Sequence, residues 1–303
     1  MRRLILAAAV AALATGCGSK AEVPTGGRVT VTVSQDFGKS LLAPTRSQTA
    51  GEPDTVLDML ERSQFEVRAD GGAVEEIDGL SAGREDGKPV EWFAYVNGIA
   101  TPEGAATREL YEGDRIWYDH HGTGSRVGAV VGAFPQPFTT GIDGKKLPIR
   151  LVCMAPDGRS CDEVEERLKA AGIRGLTRSN LESSPGEVLR VLVGTWAEVR
   201  KDIAARTLEA GPGESGVFAR MAPAGDGIEI LNADGRPEKT LGPGSGLVAA
   251  TTYREQRPTW LITGTDDVGV AAAAAALNEE MLHLHFALAI EQGRGIPLPV
   301  AGP

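Results

Sequence analysis

The chain has 303 residues, of which 42% are hydrophobic and only 5% aromatic, and it carries 31 basic against 41 acidic residues. Its net charge of −10 argues against a nucleic-acid-binding protein, because nucleic-acid phosphates demand a basic face. The same charge argues against docking on anionic lipid headgroups, and the length predicts two domains.

The first 16 residues have the pattern of an export signal. Arg2 and Arg3 precede an unbroken apolar run, residues 4–14. That run is too short to span a bilayer, which needs about 20 residues, but it fits the apolar region of a signal peptide, about 7–15 residues.

The end of this segment, Leu-Ala-Thr-Gly-Cys at 13–17, resembles a bacterial lipobox, although the pattern prefers Leu where Ala14 stands. In such a sequence Cys17 would receive a diacylglycerol and become the new N-terminus. An ordinary signal peptide with a chance cysteine is the alternative. We therefore expect a signal peptide over 1–16 and a polar tether over 17–27. The lipid would hold the protein to the outer face of the bacterial cell membrane.

The two remaining cysteines, Cys153 and Cys161, fit an exported protein. Cys153 ends an apolar run and Cys161 begins a helical pattern, so a strand that turns back into a helix can bring them together. An oxidising compartment favours a disulfide. Free thiols or metal ligands are the alternatives, but two cysteines with no histidine nearby make a poor zinc site.

The first third of the chain has the element order of a β-grasp domain, a twisted sheet with one helix across it. An Asp54 cap and apolar residues at 56, 57 and 60 predict the helix. Alternating or β-branched segments predict the strands, at 28–33, 40–49, 65–68, 74–77, 91–96 and 115–118.

A segment rich in Gly and Pro, 123–147, separates this predicted domain, 28–122, from a second one, 148–303. The apolar residues of the segment predict that it packs along one or both domains. Strands at 149–152, 188–193 and 260–262 alternate with helices at 162–171, 195–210 and 266 to about 290, which predicts an α/β domain with a mostly parallel sheet. A hairpin pairing 227–231 with 239–241 is the exception. The fold class is therefore α+β.

The sequence has few candidate catalytic or metal-binding groups. Thr195, Thr265 and Asp266 lie where strands run into helices, and the simplest interpretation is that they cap those helices. The polar cluster Asp119-His120-His121 is expected at a solvated strand end, with a weak metal site as the alternative, and His283 and His285 on different faces of a helix. With no serine or free cysteine beside a base, we expect a non-enzymatic protein without a metal or cofactor.

Four motifs in order, GEPDTVLDML, VEEIDGL, EWFAYVNG and LYEGDRIWYD, resemble the bacterial domain family described as transcobalamin-like, C-terminal. The resemblance covers residues 28–122 and implies a β-grasp-like fold related to small domains that bind soluble ligands. In transcobalamin-like proteins this domain closes over cobalamin together with an α/α barrel. This chain has no such barrel to form the other half of the site. The resemblance therefore implies cobalamin only as one possible ligand.

The aromatic stretch EWFAYVNGIA, 91–100, supplies the candidate ligand-binding residues. Alternation puts Trp92, Ala94 and Val96 on one face of the strand and Phe93 and Tyr95 on the second, and one of the two faces must cover the predicted helix. That second face, with Asn97 and Trp117, forms either a ligand platform or a packing surface for Phe134 and Phe138. Asn97-Gly98 predicts a type I′ turn, which needs positive φ at both positions.

The sequence therefore favours a lipid-anchored lipoprotein that binds a small ligand outside the cytoplasm and presents it to an importer. A cell-envelope adaptor for protein or glycan, with no small ligand, is the alternative. An exported hydrolase is a third hypothesis, which would need a nucleophile and a base within reach of each other.

Overall fold

The computed structural model describes residues 28–51, 54–101, 108–154, 158–179, 187–222, 225–254 and 257–302. The predicted signal peptide, Cys17 and the tether lie outside these residues. The helices are α1 (Val56–Arg62), α2 (Arg159–Ala170), α3 (Trp196–Val199), α4 (Ile203–Arg206), α5 (Pro212–Ser215), α6 (Asp267–Ala275) and α7 (Glu279–Leu282), with a 3-10 turn at Thr207–Ala210.

The strands of the first third are β1 (Arg28–Gln35), β2 (Ser40–Leu41), β3 (Arg46–Thr49), β4 (Val67–Asp70), β5 (Ala73–Ile77), β6 (Leu80–Ser81), β7 (Gly83–Glu85), β8 (Lys88–Val96), β9 (Ile99–Ala100) and β10 (Arg115–Gly122). The later strands are β11 (Ile149–Cys153), β12 (Leu176–Ser179), β13 (Leu189–Thr195), β14 (Ala219–Met221), β15 (Ile228–Leu231), β16 (Pro237–Leu241), β17 (Gly246–Thr251), β18 (Thr259–Gly264), β19 (Ala287–Glu291) and β20 (Arg294–Leu298).

The first large sheet has the strand order β2-β1-β10-β8-β7, with β3 beside β1 and β9 beside β8. β1 and β10 run parallel, and β10 and β8 run antiparallel. Period-2 alternation in β8 turns Trp92, Ala94 and Val96 toward α1, where they share a core with Val56 and Leu60. The predicted packing of this face is confirmed, and so is the turn, because Asn97 and Gly98 both have positive φ.

The N-cap of α1 is Thr55 rather than the predicted Asp54. The Thr55 hydroxyl accepts a hydrogen bond from the backbone N–H of Asp58, and the Asp58 carboxylate accepts one from the backbone N–H of Thr55. This reciprocal capping box satisfies two donors at once, which one upstream Asp does not do.

The apolar residues of the Gly/Pro-rich segment are buried as expected. Val130, Val131 and Phe134 are each at most 2% exposed. Phe134 and Phe138 pack on Trp260 of β18, with ring centroids 5.9 and 5.0 Å away. They therefore belong to the core of the second sheet, and the prediction that they cover Phe93 and Tyr95 was wrong.

The second large sheet has the order β12-β11-β13-β18-β17-β19-β20. The pairings among β12, β11, β13 and β18 are parallel, whereas those from β18 through β20 are antiparallel. The prediction of a mostly parallel sheet is corrected to a mixed one. The predicted hairpin is confirmed as β15 and β16, which lie in a small sheet with β14.

Two predicted helices are broken. The helix expected over 195–210 divides because the side chain of Asp202 caps a new helix, accepting from the N–H of Ala204 and Ala205. The helix expected from 266 to about 290 ends at Ala275, and Asn278 caps the short α7. Residues 287–291 then form β19, which is buried in the sheet against β17.

The two halves of the chain share one hydrophobic core. Tyr95 and Trp117 of the first sheet lie in the same cluster as Phe218, Leu247 and Phe286 of the second half. The described residues thus form a mixed α/β protein that is mostly sheet with few helices, and its sheets contain both parallel and antiparallel pairs. Within them, no helix is long and apolar enough to cross a membrane.

Candidate functional site

A cleft of about 800 Å³ opens where the two halves of the chain meet. Its walls are the ends of β1 and β10, the turn between β7 and β8, and the turn between β15 and β16. Phe37 and His121 line it from the first half, and Asp234 and Arg236 from the second. This volume is in the usual range for a small-molecule site, about 300–1,000 Å³.

A buried Asp–His pair lies beside this cleft at the end of β10. The Nδ1 atom of His121 is 2.7 Å from Oδ1 of Asp119, and the two residues are 3% and 0% exposed. They lie two residues apart, so strand alternation puts both side chains on the same face. The parallel register of β1 and β10 places Ser34 opposite Asp119.

Asp119 accepts hydrogen bonds at both carboxylate oxygens. The backbone N–H groups of Phe37 and Gly38 donate to it over 2.9 and 2.8 Å, and the Ser34 hydroxyl donates over 2.5 Å. The indole N–H of Trp117 donates in turn to Ser34 over 2.6 Å. These bonds hold the turn after β1, in which Phe37 has φ 58°, and direct the Phe37 ring into the shared core.

The tautomer of the neutral His121 imidazole follows from these partners. An ionised carboxylate only accepts hydrogen bonds, so His121 donates its Nδ1–H to Asp119 and leaves a lone pair on Nε2. That Nε2 is buried and has no hydrogen-bond partner among the described residues. A buried polar atom left unpaired costs about 1–3 kcal/mol.

Aromatic rings fix the orientation of His121. Phe93 stacks on the imidazole with ring centroids 4.1 Å apart and planes 17° apart, and Phe37 lies 4.3 Å away. Phe286 adds an edge contact at 5.2 Å. An imidazole held in this way can accept a hydrogen bond, take up a proton or bind a metal through Nε2. Among the described residues that line the cleft there is no serine or cysteine.

His120 points to the opposite face of β10 from His121. Its Nε2 lies 3.1 Å from the carbonyl oxygen of Ser81, and its Nδ1 lies 3.8 Å from Oε1 of Glu85. Both histidines are 3% exposed, so the expectation of a solvated strand end was wrong. His120 is buried because Trp92 covers it. His121 is buried by aromatic rings that come partly from distant segments of the sequence.

An ion pair joins the two halves across the mouth of the cleft. Nζ of Lys88, in β8, lies 2.6 and 2.7 Å from the carboxylate oxygens of Asp234, in the turn between β15 and β16. The hydrogen bond from Lys88 lowers the pKa of Asp234. Both side chains are partly exposed, so the pair contributes little stability, but it fixes which two loops face each other.

Three of the predicted ligand-binding residues are part of the contact between the halves. Phe93 stacks on His121, whereas Tyr95 and Trp117 pack edge-on against Phe286 with centroids 5.5 and 5.1 Å away. Tyr95 is fully buried, and its hydroxyl has no partner among the described residues. Burial, with the nearby charge of Asp119, raises the Tyr95 pKa. These rings therefore form an interior contact and do not form an open platform.

Asn97 lies in the β8–β9 turn, where its side chain makes hydrogen bonds beside the start of β10. Its amide N–H₂ donates to Asp114 over 2.7 Å and to the carbonyl oxygen of Gly141 over 3.2 Å, and its carbonyl oxygen accepts from the N–H of Arg115. Burial raises the pKa of Asp114. Asn97 thus ties the β8–β9 turn to the Gly/Pro-rich segment, some distance along β10 from the cleft.

The other predicted groups are structural as well. Cys153 and Cys161 form the predicted disulfide, with Cα atoms 5.7 Å apart, which joins β11 to α2. Asp266 caps α6, as expected, whereas Thr195 makes no side-chain cap. The Thr265 hydroxyl instead accepts a hydrogen bond from the backbone N–H of Ser245, in the turn before β17. No group of three or more His, Cys, Asp or Glu residues suited to a metal ion occurs in the described ranges.

Sequence reasoning placed Asp119, His120 and His121 in one polar cluster but did not predict the buried Asp119–His121 pair, although one signal for it was present. A carboxylate and an imidazole two residues apart in a strand lie on one face and can meet. Ser34 could not be found in this way, because its place beside Asp119 depends on the register of two strands that are far apart in the sequence.

Comparisons with known proteins cover only part of this chain. Residues 53–122 match a family described as a domain of unknown function (DUF4430). A solved structure from Ruminococcus gnavus ATCC 29149, described as a "putative metal binding protein", aligns with 14% identity and a TM-score of 0.25. The alignment covers 32% of this chain and 97% of that one. No curated protein matches. What is found around residues 53–122 is a domain without an assigned activity, and no enzyme family appears.

Proposed function

We propose that this protein is a lipid-anchored, extracytoplasmic binding protein that takes a small ligand into the cleft between its two halves. One observation carries the proposal: the buried Nε2 of His121, beside the cleft, has no partner among the described residues. An unpaired buried nitrogen costs about 1–3 kcal/mol, and a ligand N–H or O–H that reached Nε2 would remove that cost.

The surroundings of His121 support binding rather than a packing role. Asp119 sets the tautomer, and Phe93 and Phe37 fix the ring plane, so the acceptor is already oriented before a ligand arrives. Such preorganisation favours affinity, since less freedom is lost on binding. The large exposed apolar side chains of the described residues, Leu41, Tyr111, Ile203 and Val268, lie in four separate parts of the chain. Because these side chains come from separate segments, they support the adaptor alternative less well than the cleft supports ligand binding.

The anchoring part of the proposal rests on the sequence before residue 28. The charged start, the apolar run and Cys17 favour a lipoprotein signal peptide, and the disulfide of Cys153 and Cys161 favours an oxidising compartment. Metabolic labelling with a palmitate analogue tests this. We expect label on the native chain and none on Cys17→Ser, whereas label on both would refute lipidation at Cys17.

The proposal includes a finer description of the domains. Residues 28–122 would be a β-grasp-like domain of the transcobalamin-like kind and residues 148–303 an α/β domain, with α1 lying against the first sheet in support. The resemblance makes a corrinoid the first ligand to test, and an importer the expected partner.

The test of ligand binding is a thermal-shift titration of the full-length chain in detergent, with cobalamin and a panel of small metabolites. We expect one ligand class to raise the midpoint of the native protein. His121→Ala should weaken that shift, and His283→Ala, at an exposed position, should not. A shift that survives His121→Ala unchanged, or no shift with any ligand, would refute binding in this cleft.

A further inference from the structure

The cleft combines a buried hydrogen-bond acceptor with an acidic rim. We infer, resting on the proposed function, that the group of the ligand that reaches His121 is a protonated aliphatic amine. Its N–H would donate to Nε2 of His121, while the carboxylates of the rim would balance its positive charge.

The first step is the direction of the hydrogen bond. Nδ1 of His121 is committed as a donor to Asp119, which is itself filled by donors from Ser34, Phe37 and Gly38. In the neutral imidazole, Nε2 can therefore only accept. The ligand must bring an N–H or O–H to this position, and a carboxylate or phosphate cannot do so when ionised.

The second step is the charge around the cleft. The carboxylates of Asp36, Glu85, Asp86 and Asp234 line it, against Lys88 and Arg236. Lys88 is already paired with Asp234. Even when Lys39, which lies 3.3 Å from Asp36, and the buried Asp119 are both included, carboxylates outnumber cations by five to three. This surplus favours a cation over a neutral alcohol or amide.

The third step distinguishes an organic cation from a bare metal ion. A metal ion held by protein side chains usually has at least three ligands from the chain. No such group occurs in the described residues, and Nε2 of His120, which also lines the cleft, lies 3.1 Å from the carbonyl oxygen of Ser81. An ammonium has three N–H donors, of which one can reach Nε2 of His121 while the others face the rim carboxylates or water, and its alkyl stem can pack on the Phe37 ring that lines the cleft.

The experiment is isothermal titration calorimetry on the full-length chain in detergent, at physiological salt. The probes are butylamine, putrescine and spermidine. Matched controls of similar length are 1,4-butanediol, which is neutral, and succinate, which is anionic. Cobalamin is included because it tests the proposed function independently of charge.

We expect at least one amine to bind and the diol and succinate not to bind at the same concentrations. His121→Ala should weaken amine binding by about tenfold or more, as expected for a lost buried hydrogen bond of about 1.4 kcal/mol. The surface double variant Glu85→Gln, Asp86→Asn should weaken it about three- to tenfold without removing any buried group. His283→Ala is the matched histidine control and should bind as the native protein does.

The outcomes separate the inference from the proposed function. If the diol, succinate or cobalamin binds in a His121-dependent way and no amine does, the inference fails and the binding function stands. If amines bind but neither variant weakens them, they bind elsewhere, and the inference fails. If no probe binds, the inference fails, and the metabolite panel of the thermal-shift titration decides the proposed function. If His121→Ala does not fold, the surface double variant still decides, because its side chains lie on the exposed β7–β8 turn.

Discussion

The strongest prediction concerns Phe286, the ring from the second half that contacts the first sheet. Phe286 is 2% exposed and makes edge-on contacts with Phe37, Trp117, His121 and Tyr95, with centroids 5.1 to 5.5 Å away. Truncating a buried Phe to Ala costs about 3–5 kcal/mol, and aromatic pairs add to the loss. We expect Phe286→Ala to lower the free energy of unfolding by about 4 kcal/mol.

Urea unfolding followed by far-UV circular dichroism measures this loss. Phe286→Leu, which keeps most of the apolar volume, should cost about 1 kcal/mol. A double-mutant cycle between Phe37→Leu and Phe286→Leu should then show a coupling of about 0.5–1.5 kcal/mol. A loss below about 1.5 kcal/mol for Phe286→Ala, together with no coupling, would show that the two halves are not held together by this contact.

Three further predictions concern other parts of the fold. Replacing Cys153 and Cys161 by Ser should lower the free energy of unfolding by about 2.5 kcal/mol, the loop-entropy value for so short a ring; denaturation that is unchanged by reductant would contradict it. Thr55→Ala should cost about 1 kcal/mol because it removes the cap of α1, with the unfolding midpoint as the readout, and an unchanged midpoint would show that Asp58 alone suffices. Burial lowers the pKa of His285 below its ordinary 6.5, so its contribution to stability is complete above pH 6.5 and declines as the pH falls toward the folded-state pKa. His285→Gln should therefore flatten the fall in melting temperature between pH 7 and pH 5, and an identical slope in the variant would refute this origin.

The local structure of the first sheet could be predicted because it depends on short-range patterns. Alternation in 91–96 assigns Trp92 and Phe93 to opposite faces, and Asn97-Gly98 defines its turn through positive φ. The helix cap was misplaced by one residue, since Asp54 and Thr55 are both good caps and only the partner at Asp58 distinguishes them.

The errors in the second half have a different cause. Alanine-rich residues after Asp266 favour a helix locally, but residues 287–291 pair with β17 and are buried, so sheet formation overrides propensity. The burial of His121 likewise depends on Phe286, more than 160 positions away in the sequence. No local pattern reports such a contact, which is why the candidate site was found only in the structure.

The position of β1 in the first sheet limits how this chain can be divided into fragments. The match to the domain of unknown function spans 53–122, but β1 lies before it and pairs with β10 inside the sheet. β1 also contributes Val29, Val31 and Val33 to the core. A fragment cut at the boundaries of the match would expose one side of β10 as an unpaired edge, the kind of surface that promotes aggregation. A recombinant fragment or a gene fusion should therefore begin upstream of Arg28, and the extent of sequence similarity understates the unit that folds.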